Sequence, residues 1–344
     1  MMARPERRGG AHAPAFWRRR GGWAWVWLPL ALVFSALVGV RRFLYRQGML
    51  RSEHPGVPVV IVGNIAVGGS GKTPVVIALC AALRAAGWRP GIVSRGYGGS
   101  AVEARAVGAD DDPAECGDEP VLLARETGCA VVVAADRVAA ARRLRAIDPA
   151  CDVIVADDGL QHYRLARDVE VIVVDEAVLG NAWPLPAGPL REGMGRLQHA
   201  DLVIVQGAPS SSLTARLQQV PLVSMTLQGT RLRELTTGES RELSVFAGRR
   251  VHALAGIGRP QRFFDQLRAA GLEVVEHAFA DHHAFSSEDL AAAADAPRVM
   301  TSKDAVKCLS FAPPNTWEFP VQAVVAPAAW HIIVEKLRHG RSSA

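Results

Sequence analysis

The sequence is poor in cysteine. Its five thiols, at 80, 116, 129, 151 and 308, are odd in number, scattered, and contain no C-x-x-C pair. Structural zinc needs clustered ligands and a secreted scaffold needs paired cysteines, so both are excluded, and reduced thiols serving as small apolar residues fit a reducing compartment. Basic charge is also missing from most of the chain. Ten Arg against Glu6 and Glu53 give residues 1–53 a balance of +8, so the remainder carries −3 of the total +5. The pI of 9.2 therefore belongs to one end, and the body has no basic excess with which to neutralise a nucleic-acid backbone. There is no internal repeat and no long low-complexity tract. With 49% of 344 residues apolar and 21% charged, a disordered or collagen-like chain is excluded as well.

Trp23 to Val40 is eighteen residues without a charge, led by three Trp (23, 25, 27) and flanked by Arg18-Arg19-Arg20 and Arg41-Arg42. About 20 apolar residues span a bilayer, so the stretch suits a tilted span or a helix lying in one leaflet. Trp rings favour the headgroup level. No small-x-small cleavage site precedes Arg41, which argues against a signal peptide. Residues 1–22 read as a flexible basic lead-in and 23–42 as a membrane-associated helix.

Beyond His54, short Val/Ile runs alternate with helical stretches. Strands are expected at 57–62, 89–94, 130–135, 151–156, 169–175 and 201–206, with helices over 73–87 and 136–148 between them. Such a pattern makes a parallel sheet buried on both faces, in a doubly wound α/β fold. It recurs more weakly past 210, with strands at 220–226, 251–255, 272–277, 297–301 and 321–325 and helices at 260–270 and 327–338. The organisation expected is a nucleotide-binding core over 54–208, linker and hairpin over 209–250, and a smaller α/β lobe over 251–339.

Directly after the first strand comes Gly63-Asn-Ile-Ala-Val-Gly-Gly-Ser-Gly-Lys-Thr-Pro74. Strand, glycine-rich turn, Gly-Lys-Thr and helix is the context of a P-loop. Gly68, Gly69, Ser70 and Gly71 would present backbone N–H groups to the β- and γ-phosphates. Lys72 would sit against those phosphates and the Thr73 hydroxyl on Mg²⁺, while Pro74 belongs in a first helical turn. The common pattern has Gly where this chain has Ala66, and the lysine-bearing K-G-G form would need Lys in place of Val67. Asp157-Asp158 close a buried strand at its carboxyl end, where ligands sit in open α/β sheets, and supply metal-side carboxylates. A nucleoside triphosphate and Mg²⁺ follow; the acceptor does not.

GNIAVGGSGKTP (63–74), SRGYGG (94–99), GDEP (117–120), DDGLQHYRLARDVEVIVVD (157–175) and PLPAGPLREG (184–193), in this order, resemble the tetraacyldisaccharide 4′-kinases of lipid A synthesis over about residues 25–338. The resemblance implies a two-lobed, P-loop NTPase-like fold with an N-terminal membrane helix at the cytoplasmic face of the bacterial inner membrane. It implies ATP-dependent phosphorylation of the 4′-hydroxyl of an acylated glucosamine disaccharide 1-phosphate, beside inner-membrane lipid. By the same resemblance Asp118 is the general base, Glu119 assists with metal or substrate, and His282 of Asp281-His282-His283 supports the catalytic Asp. Asp ahead of a helix is also an ordinary N-cap residue. Arg95 and Arg191 suit phosphate on ATP or sugar and equally suit structural ion pairs. Gln161 and His162 resemble a segment lining the site. Two rivals remain: a P-loop kinase or synthetase acting on a soluble metabolite, and a membrane-associated partitioning or targeting NTPase, which Val67 disfavours.

Overall fold

The apolar runs become the strands of two sheets. In chain order these are β1 Val59–Gly63, β2 Pro90–Ser94, β3 Arg105–Val107, β4 Val131–Val133, β5 Val153–Asp157, β6 Val169–Val174, β7 Leu202–Gln206, β8 Leu222–Gln228, β9 Arg231–Glu234, β10 Ser240–Glu242, β11 Arg250–Ala255, β12 Glu273–Ala278, β13 Arg298–Thr301, β14 Thr316–Phe319 and β15 Gln322–Val325. The helices are α1 Trp23–Arg46, α2 Lys72–Ala85, α3 Pro113–Cys116, α4 Asp118–Thr127, α5 Arg137–Ile147, α6 Ser211–Arg216, α7 Pro260–Ala269, α8 Ser287–Ala291, α9 Ser302–Ala305 and α10 Pro327–Ser342. This computed structural model describes residues 14–99 and 103–342. They fall into two units, Pro14–Gln228 with the stretch from Gln322 onward, and Gly229–Val321.

The larger unit holds a nine-stranded sheet in the order β15-β8-β7-β6-β1-β5-β2-β4-β3. It is parallel except at its edges, where β15 runs against β8 and β3 against β4. Val59 to Val62 and Val153 to Ala156 are fully buried, as continuous Val/Ile strands sandwiched between helices require; burying each such side chain contributes about 1.5–3 kcal/mol. The β1–β5 register pairs Val62 with Asp157, so the loop after β1 and the acidic pair leave the sheet side by side. Gly63 makes this junction possible, because a Cβ there would stand 2.5 Å from Leu160 Cβ. All five cysteines are free and buried.

The smaller unit has a six-stranded sheet, β10-β9-β14-β13-β11-β12, parallel from β14 to β12. Phe246, Phe263, Phe264, Trp317 and Phe319 fill its core.

Several expectations are corrected. Residues 209–228 are not linker: α6 and β8 belong to the larger unit. β15 and α10, expected in the smaller lobe, belong there too. A short apolar run specifies a strand but not its sheet, and β15 buries one side as an edge strand on β8. The sequence reading missed β14 because Glu318 interrupts its apolar residues; Glu318 is buried there against Arg233, whose Nη2 is 2.7 Å away. Helix α1 runs on to Arg46, since Arg is a good helix former. Residues 1–13 of the expected lead-in lie outside the described residues. From Pro14 the chain is docked: Asn181 N–H donates to the Trp17 carbonyl at 2.6 Å, and Trp17 Nε1–H donates to the Pro186 carbonyl at 2.9 Å.

Candidate active site

The site grows from the carboxyl ends of β1, β2 and β5. Gly71 caps α2 in the left-handed region at φ 83, where its absent Cβ would stand 2.9 Å from Met225 Cε. Gly is favoured here by conformation; the Met225 side-chain end could swing aside for a Cβ. The loop before it is braced from within: the buried Asn64 amide donates to the Gly68 carbonyl at 3.3 Å and lies 3.2 Å from Ser70 Oγ. Ala66, where the common motif has Gly, is buried, is not among the positive-φ residues, and bridges to Leu190. This loop needs no glycine at that position. Thr73 is buried one residue into α2, beside Lys72.

Lys72 Nζ lies 3.3 Å from Asp158 Oδ1, with side chains 12% and 25% exposed. Arg191 Nη1 contacts both oxygens of the same carboxylate, at 3.0 and 3.2 Å. Burial alone would push Asp158 up, but Lys72 and Arg191 outweigh it and hold the carboxyl at about 2. Asp158 adopts φ 47, in the left-handed region that Asp enters more readily than most residues with a Cβ.

Asp157 behaves oppositely. It is pushed up to about 7, first by burial and then by the negative charges of Glu119 and Asp158, against the pull of Lys72. Its Oδ2 accepts from Ser94 Oγ at 3.1 Å, while Oδ1 is buried without a hydrogen-bond partner. A buried carboxylate oxygen left unpaired calls for a partner, which an ion or an ordered water supplies. With the Thr73 hydroxyl and the carboxylates of Asp158 and Glu119, the donors are all hard oxygens, which suit Mg²⁺ completed by substrate phosphates and water. Among the described residues no three or more His, Cys, Asp or Glu are gathered as one metal site, so phosphate oxygens and water, rather than a cage of these carboxylates, would fill most of the ion's shell.

Asp118 is buried at the first position of α4; Gly117, not Asp118, is the N-cap. Its Oδ1 accepts the Glu119 amide at 2.8 Å, so it does part of a cap's work while remaining a carboxylate next to Glu119. Arg95, just past β2, is exposed. Gln161 and His162 engage the protein itself. Gln161 Nε2 donates to the Asn64 carbonyl at 3.1 Å and to Glu192 at 2.9 Å. His162 Nε2 accepts the Arg137 amide at 3.3 Å and is 3.3 Å from Asp136; burial, then Arg137, lowers its pKa. His282 lies in the smaller unit, exposed, at φ 59, its amide donating to the Gly256 carbonyl at 3.0 Å. His283 beside it stacks on Phe279 at 4.6 Å and contacts Asp289 at 3.1 Å.

Three residues of this site escaped the sequence reading. Asn64 had its signal in the Gly63-Asn64 step, a polar side chain where the strand gives way to the loop. Buried Arg137 donates from Nη2 to the Asp158 carbonyl at 3.4 Å and from Nη1 to the Ala134 and Ala135 carbonyls. Glu192 accepts from Gln161 and, at 2.5 Å, from Tyr163. Nothing in local pattern distinguished these two from surface charges.

The family model for tetraacyldisaccharide-1-P 4′-kinase, LpxK, matches residues 23–338. A tetraacyldisaccharide 4′-kinase of Aromatoleum aromaticum is 58% identical over 333 residues, covering 97% of this chain and 99% of that protein. Another, of an Azoarcus species, is 57% identical, covering 96% and 97%. The crystal structure of LpxK from Aquifex aeolicus in complex with ATP has a TM-score of 0.78 at 26% identity, covering 92% of this chain and 100% of that one.

Proposed function

The chain belongs to the tetraacyldisaccharide-1-P 4′-kinase family, and on that premise we propose how its own residues carry γ-phosphate from ATP to the 4′-hydroxyl of tetraacyldisaccharide 1-phosphate. The observation that carries the reading is the meeting of phosphate loop and acidic pair at adjacent strand ends, with Lys72 and Arg191 both on Asp158. Phosphoryl transfer is mostly positioning and charge neutralisation. The amides of Gly68 to Lys72 and the positive end of α2 cradle the phosphates. Lys72 neutralises negative charge that grows on the transferring group, and Arg191 anchors the carboxylate that steers Lys72. Thr73, Asp157, Asp158 and Glu119 would hold Mg²⁺. Bound there, Mg²⁺ supplies a second charge partner for the β- and γ-phosphate oxygens. Asp118 takes the proton of the 4′-hydroxyl as the oxygen attacks.

The acceptor's acyl chains place the reaction at a lipid surface. Drawing such chains into water costs about 0.8 kcal/mol per exposed methylene, so the kinase works where its substrate is anchored. Helix α1 supports this: it is long and apolar enough to cross a membrane and mostly unburied, with Trp23, Trp25, Trp27, Leu30 and Leu37 exposed. We place it at the cytoplasmic face of the inner membrane, on the side of cellular ATP. Release of ADP that requires the glycolipid acceptor tests the function. ADP release at the same rate without it would return the chain to the class of partner-switching NTPases.

A further inference from the structure

The residues just ahead of the membrane helix are fastened to a loop that is fastened in turn to the phosphate loop. On the near side, Trp17 donates from Nε1 to Pro186 O and accepts Asn181 N–H through its carbonyl. The Asn181 amide reaches Phe16 O at 3.4 Å, and Arg20 Nε donates to Asn181 O at 3.0 Å. Trp183 is gripped as well, by the Arg20 guanidinium 5.9 Å from its ring and by Trp25 edge-on at 4.8 Å. Gly180, at φ 52, leaves no room for a Cβ against the Trp17 carbonyl.

Asn181 is the hub of this contact. It is buried, its Nδ2 also donates to Ala187 O at 2.9 Å, and its Oδ1 accepts Trp183 N–H at 3.0 Å. One side chain thus ties the N-terminal segment to both limbs of the 181–190 turn. On the far side, Pro189 O accepts Val67 N–H at 2.9 Å, Ile65 O accepts Arg191 N–H at 2.7 Å, and Leu190 bridges to Ala66. Residue 191 is the Arg that holds Asp158, and Asp158 meets Lys72. No helix and no ladder strand lies between Leu179 and Gly193, so the order of this turn depends on what it touches.

We propose that Phe16–Arg20 is a strap that seats the phosphate loop through the 181–190 turn, with Trp17 and Asn181 as positioning residues for phosphoryl transfer. The strap leads directly into α1, so the segment that meets the lipid also sets the order of the loop that meets ATP. The inference rests on the kinase reading only for the reaction used as one readout.

The test compares full-length Trp17→Ala and Trp17→Phe with the parent protein by amide hydrogen exchange, kinetics on detergent-dispersed tetraacyldisaccharide 1-phosphate, and sedimentation with phospholipid vesicles. Trp17→Ala is expected to exchange about tenfold faster over 64–69 and 183–192, with 59–62 unchanged, since the side chain's one hydrogen bond, to Pro186 O, is lost together with the ring's packing. KM for ATP rises and kcat falls, each about three- to tenfold, while vesicle sedimentation stays within twofold because the exposed Trp of α1 are untouched. Trp17→Phe keeps the ring and loses the N–H, so it falls between; it carries the same readings if Trp17→Ala does not fold. Unchanged exchange over 64–69, or a defect confined to vesicle binding, overturns the strap. Exchange needs no acceptor, so its outcome stands apart from that of the kinase reading.

Discussion

Lys72→Ala separates catalytic charge from structural charge. In the parent protein Asp158 is held by two cations, Lys72 at 3.3 Å and Arg191 at 3.0 Å. Removing Lys72 leaves the doubled Arg191 contact in place, so the carboxylate is not stranded. The pair is partly exposed, and its loss costs about 1 kcal/mol or less, a fall in melting temperature of roughly 2–4 °C for a unit of this size. The effect on rate is of another order. One preorganised partner for developing charge contributes about 10²–10³ in kcat, and no second lysine lies in the 64–73 loop to replace it. Circular-dichroism melting and transfer of labelled γ-phosphate, on the same preparation, read both quantities. A variant that melts normally and keeps a rate within threefold of the parent refutes the assignment of Lys72 to the phosphates. One that unfolds refutes the claim that Arg191 suffices to hold Asp158.

Asp118→Asn retains an oxygen for the Glu119 amide but cannot take a proton, so melting stays unchanged and kcat falls about 10²–10⁴-fold; a lower melting temperature with a normal rate per folded molecule makes Asp118 a helix-start residue only. Glu170→Gln removes the carboxylate shared by buried Arg196, at 2.6 Å, and Arg167, at 3.1 Å. It should destabilise by about 3 kcal/mol, seen as a lower urea midpoint; an unchanged midpoint means the guanidinium groups find other partners. Trp23→Gln combined with Trp27→Gln is expected to cut vesicle sedimentation severalfold and to spare activity on detergent-dispersed acceptor; equal losses in both assays place those rings in the catalytic machinery instead.

The sequence disclosed most where one local rule dictates one structure. Val59–Val62 and Val153–Ala156 are short continuous runs rich in Val and Ile and bounded by turn residues, which favours a strand buried on both faces, and the P-loop glycines answer to backbone geometry. Long-range partnership left less trace. β15, Gln322-Ala323-Val324-Val325, is a short apolar run that any sheet edge would accept, and its pairing with β8 is decided about a hundred residues away. Trp17 looks like one more aromatic in a basic leader until Asn181 is folded against it. Gln161 and His162 stand in a motif, but Glu192, Asn64 and Arg137 claim their hydrogen bonds. Buried charge was the least visible: Glu318 and Arg196 lie inside only because Arg233 and Glu170 meet them there.

The most direct test of the central claim is the position of the phosphate in the product. Purified full-length protein is incubated with ATP, Mg²⁺ and tetraacyldisaccharide 1-phosphate, and the glycolipid is mapped by tandem mass spectrometry. The account predicts one added phosphate per molecule, on the 4′-oxygen of the distal glucosamine, with one ADP released for each. Phosphate added to the existing 1-phosphate, or ADP formed without phosphorylated glycolipid, would contradict it.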